Sequence, residues 1–403
     1  SAPWRAARRR PLLHGTVALV AAAYFVGRGL VAPMTHHPDL WGGSRLANTA
    51  TALGTLPKYV QLLVFPRTLM ADYSPDAYPI QTTPLAPLPL LGIAIVLAII
   101  IGAAATARRS PAASLGIAWF GIALLPVMHV IPHHELMAEH YLYLPSVGAF
   151  IAAGAGLMRL RRWSPIVAAA IAALALVPLG MRTLVRNFDW RDARTLWEAQ
   201  LAATDDCARA HYNHATVILH EGGDDPEELR RAERHLRRAY EIQAKTRAGV
   251  SRVPGNEIVA RLGSIAVRLG RTEEGLPMLR AALAREMRGS PGPETAETLR
   301  NAVVTVLNAG GAGADERGRA MLIETLPALD RWVEIAPAEV EVRRMRGRTR
   351  HLLCDTAGAR ADYAAMVRLG APGASLEGWE MTVESLLEEG DVGGAGGLDG
   401  APS

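Results

Sequence analysis

Cysteine is nearly absent from this chain. Cys207 and Cys354 are the only two in 403 residues, and neither lies in a CxxC pair or at metal-ligand spacing. That argues against a structural zinc site and against a disulfide-stapled scaffold. A single Cys207–Cys354 bridge stays open if this part of the chain meets an oxidising compartment. Aromatic residues are also sparse, at 5%. Ala, Leu, Val, Gly and Arg carry the bulk of the sequence, a composition that favours helices over sheets. The net charge is only +4, and the arginines are scattered. There is no basic stripe interleaved with aromatics, which speaks against nucleic acid as a partner. The chain also lacks an initiator Met and begins at Ser1. The basic and apolar stretch 5–31 is too long for a signal peptide and runs on into further apolar segments. The expectation is that Ser1 is an internal cut in a longer protein.

What is present divides sharply. The first 186 residues are rich in apolar runs, and the rest is charged and periodic. The change falls in Met181-Arg-Thr-Leu-Val-Arg-Asn-Phe-Asp-Trp-Arg-Asp-Ala-Arg194. Five stretches are apolar over lengths suited to ~30 Å of hydrocarbon: 12–32, 86–105, 112–131, 141–158 and 163–181. The segment 46–66 is amphipathic and contains Pro57 and Lys58, and it reads as an interfacial or re-entrant helix. Arg5, Arg8, Arg9 and Arg10 precede the first span. Arg108 and Arg109 follow the second, and Arg159, Arg161 and Arg162 follow the fourth. With five spans and segment 46–66 not crossing, all three clusters lie on one side, which marks that side as cytoplasmic. The fifth span then exits outward, and residues 187–388 are extracytoplasmic.

That second half predicts an all-α solenoid of tetratricopeptide type, in which helix pairs repeat about every 34 residues and touch through small residues. Residues 256–286 fit best, with Leu262-Gly263 opening the contact, Gly270 at the turn, and Gly275, Leu279 and Ala282 following. An earlier unit begins near Ala208 and uses Ala215, Ala232, Leu236 and Ala239. A later one has Gly347, Ala359, Tyr363 and Pro372, and residues 294–337 form a degenerate unit ending at Pro337. Such pairs bury their apolar faces only by stacking, and the stack presents a concave surface suited to a protein or peptide. The plainer alternative is that the array only packs on the membrane half or on a second copy. Residues 389–403 are Gly-rich and read as a disordered tail.

Two polar loops are candidates for chemistry. Ala71-Asp-Tyr-Ser-Pro-Asp-Ala-Tyr-Pro79 offers Asp72 and Asp76 to a sugar hydroxyl, a metal or a basic group, and it is equally a set of turn formers. His129 to Pro145 gathers His129, His133, His134, Glu135, Glu139 and His140 between two spans. Imidazoles there suit a lipid phosphate or a sugar, and the spacing preforms no metal set. Arg28, at the outer end of the first span, either snorkels to headgroups or meets an anionic lipid.

Phe65-Pro-Arg-Thr-Leu-Met-Ala-Asp-Tyr-Ser74 resembles a membrane-surface motif of the transmembrane and tetratricopeptide-repeat O-mannosyltransferases and their bacterial relatives. Met137-Ala-Glu-His-Tyr-Leu-Tyr-Leu-Pro-Ser-Val-Gly148 is similar to a second motif of that group. Asn187-Phe-Asp-Trp-Arg-Asp192, Leu196-Trp-Glu198 and Ala210-His-Tyr-Asn213 resemble its passage into the first repeat. The resemblance implies a GT-C type glycosyltransferase that moves a sugar, often mannose, from a polyprenyl-phosphate donor to a protein hydroxyl. The lipid-linked sugar would be a substrate, and no cofactor is implied. On that reading Asp72, Tyr73, Glu139, His140 and Tyr141 contact substrate, and the charge and position of Arg28, His133 and His134, with His140, make them the candidates for the lipid phosphate. Two departures stand out. The family's catalytic carboxylate belongs to an early outer loop, for which nothing precedes the span at 12–32, so no catalytic residue is assigned. Many relatives also carry Arg where this chain has His140, which exchanges a permanent charge for one that titrates near neutrality. The alternative is a non-catalytic, membrane-anchored repeat scaffold for protein binding.

Overall fold

In the computed structural model, the described residues are Thr16, Leu19, Val20, Ala23, 40–74, 76–129, 135–245, 255–286 and 316–370. Among them there are helices and no strands. The chain divides into two compact units. One comprises residues 1–66 and 79–173, and the other 67–78 and 174–403.

The first unit begins with α1, Arg45–Val64. Ser44 caps it, its hydroxyl accepting from the Ala47 N–H at 3.1 Å. Its small residues Ala47, Ala50, Ala52 and Gly54 are buried, which lets a neighbour approach closely. That neighbour is α2, Pro87–Thr106. Pro57 lies inside α1 and has no N–H to give the Leu53 carbonyl four residues back. Gly92 of α2 sits against that freed carbonyl, so close that a Cβ there would fall 2.0 Å from the oxygen. A Cα–H then covers what the proline leaves bare.

Helix α3, Pro111–Leu124, packs on α4, Tyr143–Arg161. Gly116 and Gly148 bring the two backbones together, and a Cβ on Gly148 would meet the Gly116 carbonyl at 2.4 Å. Helix α5, Pro165–Asp189, runs straight through the polarity change at Met181. Its 25 residues extend about 37 Å.

Three described helices are long and apolar enough to cross a membrane: Pro87–Thr106, Glu139–Arg161 and Pro165–Asp189. The expected span 112–131 is instead a shorter apolar stretch, Pro111–Val127, whose last three residues form a 3-10 turn around Pro126. The expected span 12–32 lies almost wholly outside the described residues.

The second unit contains α6 (Ala193–Ala203), α7 (Ala208–Gly222), α8 (Pro226–Lys245), α9 (Gly255–Arg268), α10 (Thr272–Glu286), α11 (Glu316–Ile335), α12 (Val340–Leu352) and α13 (Thr356–Arg368). They pack as pairs, α7 with α8, α9 with α10 and α12 with α13. In the α9–α10 pair, Gly263 faces Gly275 and Leu279 while Gly275 faces Val267, the crossing of an antiparallel hairpin. Gly270 makes the turn with φ +79°. Adjacent pairs share their cores. Ala215, Ile218, Ala232 and Leu236 of the first pair cluster with Ile258 and Ile265 of the second. Leu279 of α10 joins Leu329 and Trp332 of α11 and Val342 of α12. Tyr363 closes over Gly347, and Ala359 is fully buried. Pro372, residues 294–315 and the 389–403 tail lie outside the described residues.

Candidate functional site

The candidate residues fall into two groups, one in each unit. In the first unit, Glu139, His140 and Tyr141 stand on a 3-10 turn, Glu139–Leu142, that leads directly into α4. His140 is exposed, with its ring edge-on to Tyr141 at 4.6 Å between centroids. Glu139 and Tyr141 are half-buried. The turn packs on α1, and Glu139 acts electrostatically on Lys58, one of two lysines in the chain. A carboxylate therefore faces an ammonium group at the start of a membrane-length helix, with an imidazole and a phenol on the same turn.

This turn is held from behind by His129. The His129 side chain is buried and its backbone takes φ 52°, a left-handed conformation costly for a non-glycine residue. Its Nε2 lies 2.7 Å from the Leu136 carbonyl, which can only accept, so Nε2 carries the proton. Nδ1 is then bare, and the Trp41 indole N–H donates to it at 3.2 Å. Asn48 completes the strap. Its Nδ2 donates to the His129 carbonyl at 3.1 Å, and its Oδ1 accepts from the Trp41 N–H at 3.2 Å. Leu136 and Met137 are thereby sunk into the core, and the chain emerges at Glu139. Of the loop's four histidines, His129 is the scaffold. His133 and His134 lie outside the described residues, as does Arg28.

In the second unit, the loop 67–78 lies on α6 and α7. Asp72 is buried. One oxygen accepts from the Ser74 N–H at 2.7 Å, and the other is 2.8 Å from Arg209 Nε. Gln200 of α6 grips the same stretch of backbone. Its Oε1 accepts from the N–H groups of Ala71 and Asp72 at 2.7 and 3.1 Å, and its Nε2 donates to the Asp72 carbonyl at 3.1 Å. Tyr73 is buried, 1% exposed. The Tyr78 phenol is pushed up to about 12 by burial. Cys207 Sγ lies 3.6 Å from the Ser74 hydroxyl. Burial, then the Asp72 charge, pushes its thiol up to about 12, so it stays protonated. Both cysteines are free thiols, Cys207 buried and Cys354 exposed. In this arrangement Asp72 is neutralised by Arg209 and carries the fold of the loop.

Sequence reasoning singled out Asp72, Glu139 and His140 but missed Arg209, Gln200, Lys58 and the Trp41–Asn48 strap. Each missed partner is an ordinary helical residue distant in sequence, so no local signal marked it. No family model matches this chain, and no curated protein or solved structure does either.

Proposed function

We propose that this chain serves glycosyl transfer at a membrane as a GT-C type enzyme, taking a sugar such as mannose from a polyprenyl-phosphate donor to a protein hydroxyl. The observation that carries the reading is the Glu139–His140–Tyr141 turn. It sets polar, titratable groups at the end of an apolar helix, where a lipid-linked headgroup would lie, and the His129 strap holds it in one conformation. Preorganised polar groups at a membrane surface are costly to keep and are usually functional. In this reading His140 and Tyr141 bond the sugar or its phosphate, and Lys58 orients Glu139. On the same reading the chain crosses the inner membrane five times, with the shorter apolar stretch Pro111–Val127 as one of the crossings, and its helix pairs form an extracytoplasmic tetratricopeptide array that recruits the acceptor protein. Membrane lipids and the donor are its other partners. No catalytic base is assigned among these residues.

The test is glycoproteomics of the extracytoplasmic fraction from cells carrying the wild-type gene, a deletion, Glu139→Ala or His140→Ala. Loss of hexose-bearing peptides in the deletion and in both variants, with membrane insertion intact, is the expected outcome. An unchanged glycan profile throughout would refute it. A second reading, a membrane-anchored scaffold without catalysis, is favoured by the structural commitment of Asp72 to Arg209. It expects unchanged glycans and a loss of bound protein when the helix pairs are altered.

A further inference from the structure

Three imidazoles meet in the second unit, away from both candidate loops. Helix α7 sets His211 and His214 on one face, three residues apart. Helix α8 sets His235 opposite, between the fully buried Ala232 and Leu236. His211 and His214 are buried, 4% and 2% exposed. The His235 ring lies 5.2 Å from that of His211 and 4.5 Å from that of His214. Among the described residues, no set of three such ligands is arranged to hold a metal ion.

The hydrogen bonds fix how many protons the cluster can hold. His211 Nε2 donates to the Asp205 carbonyl at 3.0 Å, which leaves its Nδ1 bare. His235 Nδ1 is 2.9 Å from that Nδ1 and supplies the single proton between them. The pair accepts one more proton, on the far side of His235, without losing this bond. A further proton puts two N–H groups face to face at that distance and breaks it. His214 makes no hydrogen bond through either ring nitrogen. The nearest carboxylate is Glu198, at 3.6 Å.

The surrounding charges leave little to compensate added protons. Helix α6 contributes Arg194 and Glu198, the following loop Asp205, α7 Glu221, and α8 Arg231, Arg234 and Arg238. Each of the three carboxylates already has an arginine: Glu198 with Arg231 at 3.5 Å, Glu221 with Arg194 at 2.6 Å, and Asp205 with Arg238 at 2.8 Å. Asp205 also stands 3.3 Å from His211 Nε2 and Glu221 favours a proton on His214, but with these arginines alongside, added protons are only partly compensated. The same helices carry Gln200 and Arg209, the two grips on the loop 67–78.

We infer that His211, His214 and His235 form an acid-sensitive latch, which keeps the loop 67–78 docked on α6 and α7 at neutral pH and releases it as the cluster gains protons. Burial first, and positive neighbours second, pull His214 down to about 4, and burial does the same for His235. In the opened state both return to about 6.5. The closed form is thus favoured above pH 6.5 and loses ground as pH falls from 6.5 towards 4, because only the open form takes up protons readily. For His214 alone the population of the open form rises on the order of a hundredfold across that window.

Cys207 reports the opening, since it is fully buried beside Ser74, while Cys354 is exposed and serves as an internal control. The experiment counts thiols reactive with 4,4′-dithiodipyridine in the full chain in lipid nanodiscs between pH 7 and pH 4.5. One reactive thiol at pH 7 and two at pH 4.5 is the expected result; one thiol throughout overturns the latch. In His214→Leu/His235→Gln the second thiol stays protected at pH 4.5, and its exposure there as in wild type would assign the opening to other groups. Glu198→Gln provides a variant that keeps all three imidazoles. It removes the carboxylate nearest His214, and the second thiol should still become reactive at pH 4.5; its protection there would assign the opening to Glu198 and overturn the proposal.

Discussion

Arg209 of α7 reaches Asp72 in the loop after α1, with Nε 2.8 Å from the carboxylate, and the Asp72 side chain is 2% exposed while that of Arg209 is 26% exposed. A buried ion pair is weak evidence of net stability, but removing one partner strands the other charge. Arg209→Ala is therefore expected to cost about 3 kcal/mol. Replacing both residues, as Asp72→Asn with Arg209→Leu, costs less than Arg209→Ala alone, because no charge is then stranded. Chemical denaturation in detergent, followed by tryptophan fluorescence, measures both. A single-variant cost no larger than that of a surface pair would show that the loop is held by Gln200 without help from the ion pair.

The Trp41–His129 bond makes a prediction about the first unit. Trp41→Phe keeps an aromatic ring edge-on to the imidazole, now at 6.0 Å and 87°, but removes the indole N–H. His129 Nδ1 is then a buried acceptor with no donor from that side, at a cost of about 1–3 kcal/mol. The segment from Leu136 to Leu142 depends on that imidazole through the Leu136 carbonyl. Hydrogen exchange over peptides spanning 135–142 is expected to quicken in Trp41→Phe, with the α12–α13 pair unchanged. Equal protection in both proteins would mean that the left-handed backbone at His129 is held by Asn48 alone.

Helical pairs and long apolar helices were legible in the sequence because each is written in local periodicity. Ala215, Ala232, Leu236, Leu279 and Ala359 were expected at helix contacts, and all are buried. The end of the apolar stretch at 112–131 was read too far. Pro126 stops the α-helical hydrogen bonds and His129 turns left-handed, and neither weakens a hydropathy run. The polarity change at Met181 looks like a break but is none, since arginine continues a helix as readily as leucine does. Asp72 illustrates the harder limit. Asp, Ser and Pro within four residues describe a turn equally well whether it faces water or another helix, and the arginine that decides between these sits in a distant helix.

The two cysteines should differ sharply in reactivity. With its thiol pushed up to about 12, Cys207 is almost wholly protonated at pH 8, and only the thiolate attacks an alkylating agent. Iodoacetamide at pH 8 is expected to modify the exposed Cys354 and to leave Cys207 at least about a hundredfold slower. An unfolded chain ionises this thiol near pH 8.5, whereas the folded one holds its proton, so stability falls as pH rises from about 8.5 towards 12. Peptide mapping after timed labelling separates the two sites. Equal rates would mean that the loop 67–78 leaves Cys207 open at neutral pH.

Gly92 faces the Leu53 carbonyl, which Pro57 deprives of its helical donor, and here the backbones of α1 and α2 come close together. In Gly92→Ala the new Cβ would overlap the carbonyl oxygen, and both contacting atoms belong to backbone, so no side chain can swing aside. The helices must part, at a cost of about 1–3 kcal/mol. Because α1 also carries Asn48 and Lys58, the shift reaches the strap under His129 and the partner of Glu139. Gly92→Ala should therefore lower the thermal midpoint in detergent and quicken exchange over 135–142. In a second background, Pro57→Ala, the Leu53 carbonyl regains a helical donor and no longer depends on Gly92 for cover. The clash with a Cβ at 92 remains there, so the cost of Gly92→Ala should persist, and its disappearance would show that α1 shifts freely enough to make room.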